Sequence, residues 1–385
     1  MKPIADRLAR IEPFHVMDIL ARARAMEAQG RSIIHMEIGE PDFPTAPGIV
    51  QAGIEALKAG HTHYTPALGL PALRAAIAAG YPADVRPEID RIAVTPGASG
   101  ALQLIIAALI NPGDQVLMAD PGYPCNRHFV RLFEGDDIAI PVEASTGYQL
   151  NAGLIQRHWT ERSVAVLLAS PSNPTGTLIP TDEMAEIVKT VERLGGVLIV
   201  DEIYHGLVYE NEAVTVLSHS ADVFVVNSFS KYSGMTGWRL GWLVSPASYI
   251  PAIDKLAQNI FLASSTLAQH AALAAFTPSV QLELEMRRKI FLERRDFLYP
   301  ALLELGFIIP VKPQGAFYLY ADCSRFSHDS QAFALDLLER TGVAITPGVD
   351  FGRHRASQHV RFSYANTIEN LREGVSRLRK YLRTN

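Results

Sequence analysis

The sequence predicts an α/β fold, a mostly parallel sheet flanked by helices, with a smaller α+β unit built from both termini. Three observations carry this. Five apolar runs, QVLMAD (115–120), VAVLLAS (164–170), GVLIVDE (196–202), FVVNSFS (224–230) and LGWLVSP (240–246), are continuous rather than alternating. That is the pattern of strands covered by helices on both faces. Helical patterns lie between them. After about residue 280 the texture changes, to one long charged amphipathic stretch and then several short strand-like runs.

In chain order, Met17–Gln29 has helical spacing and needs a surface to pack on. TPGASGALQLIIAAL (95–109) is a tight turn opening an apolar helix. In TDEMAEIVKTVERLGG (181–196), Thr181 reads as an N-cap with Asp182 and Glu183 in the first turn. Met184, Ile187, Val188, Val191 and Leu194 share one face there, and Gly195 ends the helix. QLELEMRRKIFLERRDFLYPALLELG (281–306) predicts a long helix. GAFYLYAD, GVAIT and HVRFSYA predict short strands, and NLREGVSRLRKYLR a final helix. The expected division is a large α/β domain over 45–280 and a small α+β domain made of 1–44 and 281–385.

The chain has 385 residues, 48% of them apolar, which is enough for one large core and a satellite. The net charge of −5 is spread without a basic tail or a block of one sign. No nucleic-acid or membrane surface is expected. Cys125 and Cys323 cannot build a disulfide framework and neither sits in a CxxC pair. The first thirty residues lack the apolar core of a secretory leader, and no apolar run approaches a membrane span. A soluble, cytoplasmic protein is the expectation.

Ligands of open parallel sheets gather at the carboxyl ends of the strands. Here VLMAD is followed by PGYP, VAVLLAS by PSNPTG, GVLIV by DEIY and FVVN by SFSK. Lys231 therefore sits at the end of a buried strand, among Ser228, Ser230, Ser233, Gly234 and Gly237. A surface lysine is the plain alternative. A desolvated one is disposed to be neutral and nucleophilic, which suits Schiff-base chemistry.

Such chemistry on amino acids needs an electron sink, and pyridoxal phosphate supplies one. Its phosphate needs donors, which Arg239, Ser228, Ser230 and the turn at Gly97, Ala98 and Ser99 could provide. Its ring nitrogen needs a carboxylate, for which Asp201 is placed unless it is a helix cap or a solvated strand end. Tyr204 and Asn173 could donate to the phenolate oxygen, and Tyr123 could stack on the ring or serve as core. Arg361, inside the apolar pattern HVRFSYA, suits the α-carboxylate of an amino acid or a structural salt bridge.

At these residues the chain resembles the class I/II aminotransferases of pyridoxal-phosphate fold type I. SFSKYSGMTGWRLG, NPTG, DEIY, VRFSYA, EIGEPDFP and HYTPALGLPALR carry the resemblance, which spans essentially the whole chain. It implies a seven-stranded type of sheet, with Lys231 holding the cofactor and shuttling the substrate's α-proton. Asp201 pairs with the pyridinium, Tyr204 and Asn173 contact the phenolate, and Tyr123 stacks. Ser228, Ser230, Arg239 and Gly97–Ser99 hold the phosphate. Arg361 binds the α-carboxylate, with Gly39 close by. It further implies a homodimer in which Tyr64 reaches the phosphate of the neighbouring subunit.

Dicarboxylate-specific relatives carry a second cation. One group places an arginine in a segment resembling AQNIFLASSTLA, and another a lysine where this chain has Ser99. Neither cation is present, which points to a neutral or hydrophobic amino donor. His61 and His63 lack further ligands at metal spacing, so no metal is expected.

Other chemistries are less well served. Ser228-Phe229-Ser230-Lys231 is also S-x-x-K of penicillin-recognising serine enzymes, but S-D-N and K-T-G are absent, the nearest being Arg340-Thr341-Gly342. No G-x-G-x-x-G follows a first strand, as a dinucleotide dehydrogenase would need. A non-enzymatic module on the same fold would need a broken catalytic set, and none is broken. Carbon–sulfur β-elimination on the same site is the alternative within the family.

Overall fold

The computed structural model describes residues 4–210 and 212–384. Its strands are β1 (Ile34–His35), β2 (Ile92–Thr95), β3 (Gln115–Asp120), β4 (Asp136–Pro141), β5 (Ser163–Ala169), β6 (Val197–Asp201), β7 (Phe224–Ser228), β8 (Gly241–Val244), β9 (Tyr318–Asp322), β10 (Val343–Ala344), β11 (Thr346–Pro347) and β12 (His359–Ser363). Its helices are α1 (His15–Ala28), α2 (Pro47–Lys58), α3 (Pro71–Ala79), α4 (Gly97–Leu109), α5 (Pro124–Leu132), α6 (Ala152–His158), α7 (Thr181–Arg193), α8 (Ile250–Ile260), α9 (Thr266–Leu273), α10 (Pro278–Leu305), α11 (Ser330–Thr341) and α12 (Ile368–Thr384).

A seven-stranded sheet of order β2-β8-β7-β6-β5-β3-β4 forms the centre. β7, β6, β5, β3 and β4 run parallel, while β8 is antiparallel to both its neighbours. The continuous apolar runs follow from two-sided burial. Val166, Leu168, Leu198, Val200 and Val225 enter one core cluster, with Ile49 and Leu73 of α2 and α3. Ala165, Leu167, Ile199, Phe224 and Val226 enter the opposite cluster, with Leu102 and Ile105 of α4. Each fully buried aliphatic or aromatic side chain contributes about 1.5–3 kcal/mol, so register in these strands is firmly set.

A second core gathers both ends of the chain. Ile19, Ala23 and Met26 of α1 pack with Phe291 and Leu298 of α10, Leu337 of α11 and Phe362 of β12. β1 pairs in parallel with β10, Ile34 opposite Val343. A three-stranded antiparallel sheet, β11-β12-β9, completes the unit. α10 belongs to both regions, since Val280 and Leu284 enter the first core and Phe291, Leu298 and Leu302 the second.

One local expectation is corrected. Thr181 is not an N-cap but the first residue of α7, after Pro180, and its side chain makes no cap bond. The extended backbone of Pro180 sets the helix entry, and the acidic first turn faces the helix dipole instead. β1, β2 and β4 had no counterpart among the predicted strands.

Candidate active site

The strand ends converge as sheet geometry requires. β5, β6 and β7 are parallel neighbours, so the residues following Ala169, Asp201 and Ser228 emerge on one edge. There, Lys231, Asp201, Tyr204, Ala98, Ser99, Tyr123, Asn173, Ser228, Ser230, Arg239, Gly39 and Arg361 line one cavity of about 460 Å3. A larger opening of about 1,120 Å3 lies beside Glu202 and Tyr232, but it contains neither Lys231, Asp201 nor Arg361. Chemistry rather than size identifies the site.

Lys231 donates from Nζ to the Gly39 carbonyl at 2.6 Å and makes no ion pair among the described residues. Burial lowers its pKa to about 8, an effect that the Glu40 charge opposes. Asp201 ends β6 with its Oδ1 accepting the Ile203 N–H at 3.0 Å. Burial pushes its carboxyl up to about 7, against that backbone bond and the attraction of Lys231. A buried carboxylate without a cation in contact is costly, and a cationic ring nitrogen would relieve it.

The side of the cavity nearest α4 is built from backbone. Gly97, Ala98 and Ser99 open α4, where unpaired N–H groups and the helix dipole favour an anion. Arg239 lies beside them in the left-handed region, at φ +53°. Gly97 is at φ +71°, and a Cβ there would meet Arg239 Nη2 at 2.5 Å. Glycine therefore lets the guanidinium approach the helix end. Ser228 Oγ donates to Ser230 Oγ at 2.9 Å and lies 3.0 Å from the Leu240 carbonyl, which fixes the hydroxyls of the lysine loop.

Arg361 sits in β12 opposite Tyr320 of β9 and Thr346 of β11, and is 3% exposed. It donates to Asn173 Oδ1 at 2.8 Å, the Glu37 carbonyl at 2.6 Å and Thr346 Oγ1 at 3.2 Å, while its Nε has no partner. No carboxylate ion-pairs with it among the described residues. Asp350 is near, but its oxygens accept the N–H groups of His15 and Val16. The guanidinium stacks over Tyr318 at 4.2 Å and Phe351 at 4.8 Å. A structural salt bridge is thus not what holds it.

Tyr204 Oη hydrogen-bonds Tyr318 Oη at 2.9 Å, and burial raises both phenols. Burial likewise raises Tyr123, so all three are protonated donors at neutral pH. Tyr64 stands apart, outside the cavity and 83% exposed. Sequence reasoning missed Tyr318, and it missed the wall that Phe14 and α1, through Val16, Met17, Leu20 and Arg24, lend the cavity. The aromatic pattern of GAFYLYAD placed Tyr318 in a strand, but only the fold brings that strand against Arg361. Among the described residues no group of acid, cysteine and histidine side chains could hold a metal.

A half-buried amine, a buried acid and the first turn of α4 thus meet at one cavity. The pattern that defines the family Aminotransferase class I and II matches residues 31–378, and the chain belongs to that family. The family depends on pyridoxal phosphate, and this chain is an aminotransferase. It is 37% identical to the valine–pyruvate aminotransferase of Mycobacterium tuberculosis, over 98% of this chain and 99% of that one. It is 36% identical to the (5-formylfuran-3-yl)methyl phosphate transaminase of Methanocaldococcus jannaschii, with the same coverage. Among solved structures, the aspartate aminotransferase of Thermus thermophilus with maleate superposes with a TM-score of 0.94 at 32% identity, covering 99% of this chain and 100% of that one.

Proposed function

We propose that this aminotransferase moves the amino group of an L-amino acid with a neutral or hydrophobic side chain to a 2-oxo acid, in ping-pong fashion. The observation that carries the reading is Arg361, a buried guanidinium without an acidic partner among the described residues, lining the same cavity as the Lys231 amine. An amino acid's α-carboxylate satisfies the first and its amino group meets the chemistry of the second. Phe14, Val16, Met17 and Leu20 offer an apolar wall to the side chain. The name of the Mycobacterium tuberculosis relative, valine–pyruvate aminotransferase, supports a neutral donor.

The residues fit pyridoxal phosphate. Bound, it supplies the electron sink for α-carbon deprotonation. Lys231 holds it through Nζ and, when released, moves the proton at the substrate's α-carbon; the lowered pKa keeps a usable fraction of the amine neutral. Asp201 keeps the ring nitrogen protonated. Tyr204 and Asn173 donate to the phenolate, and Tyr123 covers the ring. Arg239, Ser228, Ser230 and the Gly97–Ser99 helix end hold the phosphate, and Gly39 lies close to Arg361 and leaves room for the Tyr318 hydroxyl, 2.7 Å from where a Cβ would stand.

The division into a 45–280 domain and a 1–44 plus 281–385 domain is part of this reading, as is a cytoplasmic homodimer. No described helix is long and apolar enough to cross a membrane. Tyr64 at 83% exposure, with Ile260 and Leu262 also exposed, supports a face for a second copy, whose phosphate site Tyr64 would complete. The test is a spectrophotometric half-reaction screen of the common amino acids. Rapid cofactor conversion by neutral donors is expected. Pyruvate release from cystathionine with no acceptor present would point to β-elimination instead.

A further inference from the structure

The cavity reaches a cation that none of these roles uses. α1 contributes Met17, Leu20 and Arg24 to its lining, at spacings of three and four that share one helical face. Met17 is 54% exposed and Leu20 half-buried, so this face is apolar but not packed shut. Arg24 has neither an ion pair nor a hydrogen bond among the described residues. Its nearest acidic neighbour along the helix, Glu27, is engaged by His35 Nε2 at 3.2 Å, and Arg22 takes Glu339 at 3.4 Å. Glu40, the other acid lining the cavity besides Asp201, accepts the Thr236 hydroxyl.

Two helical turns, about 10 Å, separate Met17 from Arg24. A ligand with its α-carboxylate on Arg361 and its body along Met17 and Leu20 reaches Arg24 only if it is long. A body lying along Met17 and Leu20 must match that rise, which an aromatic ring or a comparable chain does better than the one or two methylenes of aspartate or glutamate.

We propose that Arg24 forms a distal-anion subsite, so that the cavity takes an elongated substrate with an apolar body and a terminal carboxylate or phosphate. This rests on reading Arg361 as the α-carboxylate site. A neutral donor uses the same apolar wall without engaging Arg24, so the two partners of a ping-pong cycle can differ at this end.

The test compares phenylalanine, glutamate, 4-carboxyphenylalanine and O-phosphotyrosine in half-reactions of the cofactor-loaded wild type and Arg24→Gln. Arg24 is exposed, so for a charge-assisted pair there the kcat/KM ratio of 4-carboxyphenylalanine to phenylalanine should fall about two- to fivefold in the variant. The O-phosphotyrosine ratio should fall likewise if the subsite takes phosphate, and the larger loss names the preferred anion. The glutamate ratio should not move. Arg24→Lys should recover part of the loss. Dissociation constants of unreactive 3-(4-carboxyphenyl)propanoate and 3-phenylpropanoate provide a readout independent of turnover. Equal effects of Arg24→Gln on charged and uncharged ligands in both measurements would overturn the subsite. If no amino acid reacted, yet the dianion's binding advantage depended on Arg24, the subsite would stand and the aminotransfer reading of the cavity would fall.

Discussion

Asp201→Asn isolates the main electrostatic tension of the site. In the cofactor-free protein, burial pushes this carboxyl to about 7 from 3.8. Between those values the folded protein binds the proton that the unfolded chain has already released. Stability therefore falls as pH rises from about 4 to about 7, and the loss stays in place above that. A shift of about three units at about 1.4 kcal/mol each amounts to a penalty on the order of 4 kcal/mol at pH 7.5. Asparagine has the same size and does not titrate. At pH 5 only about a third of the penalty has accumulated, so from pH 5 to pH 7.5 the variant should gain about 2–3 kcal/mol on wild type. Urea unfolding of both cofactor-free proteins across that range measures it. Lys231 is present in both proteins, and with its pKa lowered to about 8 it titrates mainly above the range in wild type. Parallel pH profiles would refute the claim that Asp201 is held as a strained, cation-seeking acid. With cofactor bound the order should reverse, the variant losing most of its α-proton chemistry.

Three further outcomes follow from the same geometry. Cofactor capture by Lys231 should accelerate with pH and level off near 8, since burial lowers that amine; a stopped-flow midpoint near the ordinary lysine value would contradict this. Arg361→Ala should weaken amino-acid binding to the cofactor-loaded enzyme by roughly 2–5 kcal/mol, as expected when a buried charged partner is removed; an unchanged dissociation constant would tell against its role. Gly97→Ala should push Arg239 from the α4 end at a strain of about 1–3 kcal/mol, weakening pyridoxal phosphate far more than pyridoxal in equilibrium binding; equal losses would mean the phosphate sits elsewhere.

How much of this was legible in the sequence depends on how local its cause is. β3, β5, β6, β7 and β8 were readable because two-sided burial forces uninterrupted apolar runs, and their ends carried the site residues with them. β4 was not, since it pairs only with β3 and begins with Asp136 and Asp137, as a partly exposed edge strand tolerates. β2, Ile92–Thr95, carries an apolar run of only Ile92, Ala93 and Val94 between Arg91 and Thr95, too short to stand out. Thr181 matched the chemistry of a cap, but the proline before it took that position. In the site, Lys231, Asp201 and Asn173 announced themselves as polar residues at strand ends. Tyr318, Met17 and Arg24 did not, because their function depends on long-range packing of β9 and α1 against the sheet edge, which leaves no local signal. Tyr64 looked like part of a site, and one chain alone leaves it in solvent.

The central claim is that the amine of Lys231 carries the cofactor whose far end meets Asp201. Borohydride reduction of the cofactor-loaded protein, followed by digestion and peptide mass mapping, tests it most directly. A phosphopyridoxyl mass on the peptide containing Lys231 is the predicted result. The same mass on any other lysine, with Lys231 unmodified, would contradict the account.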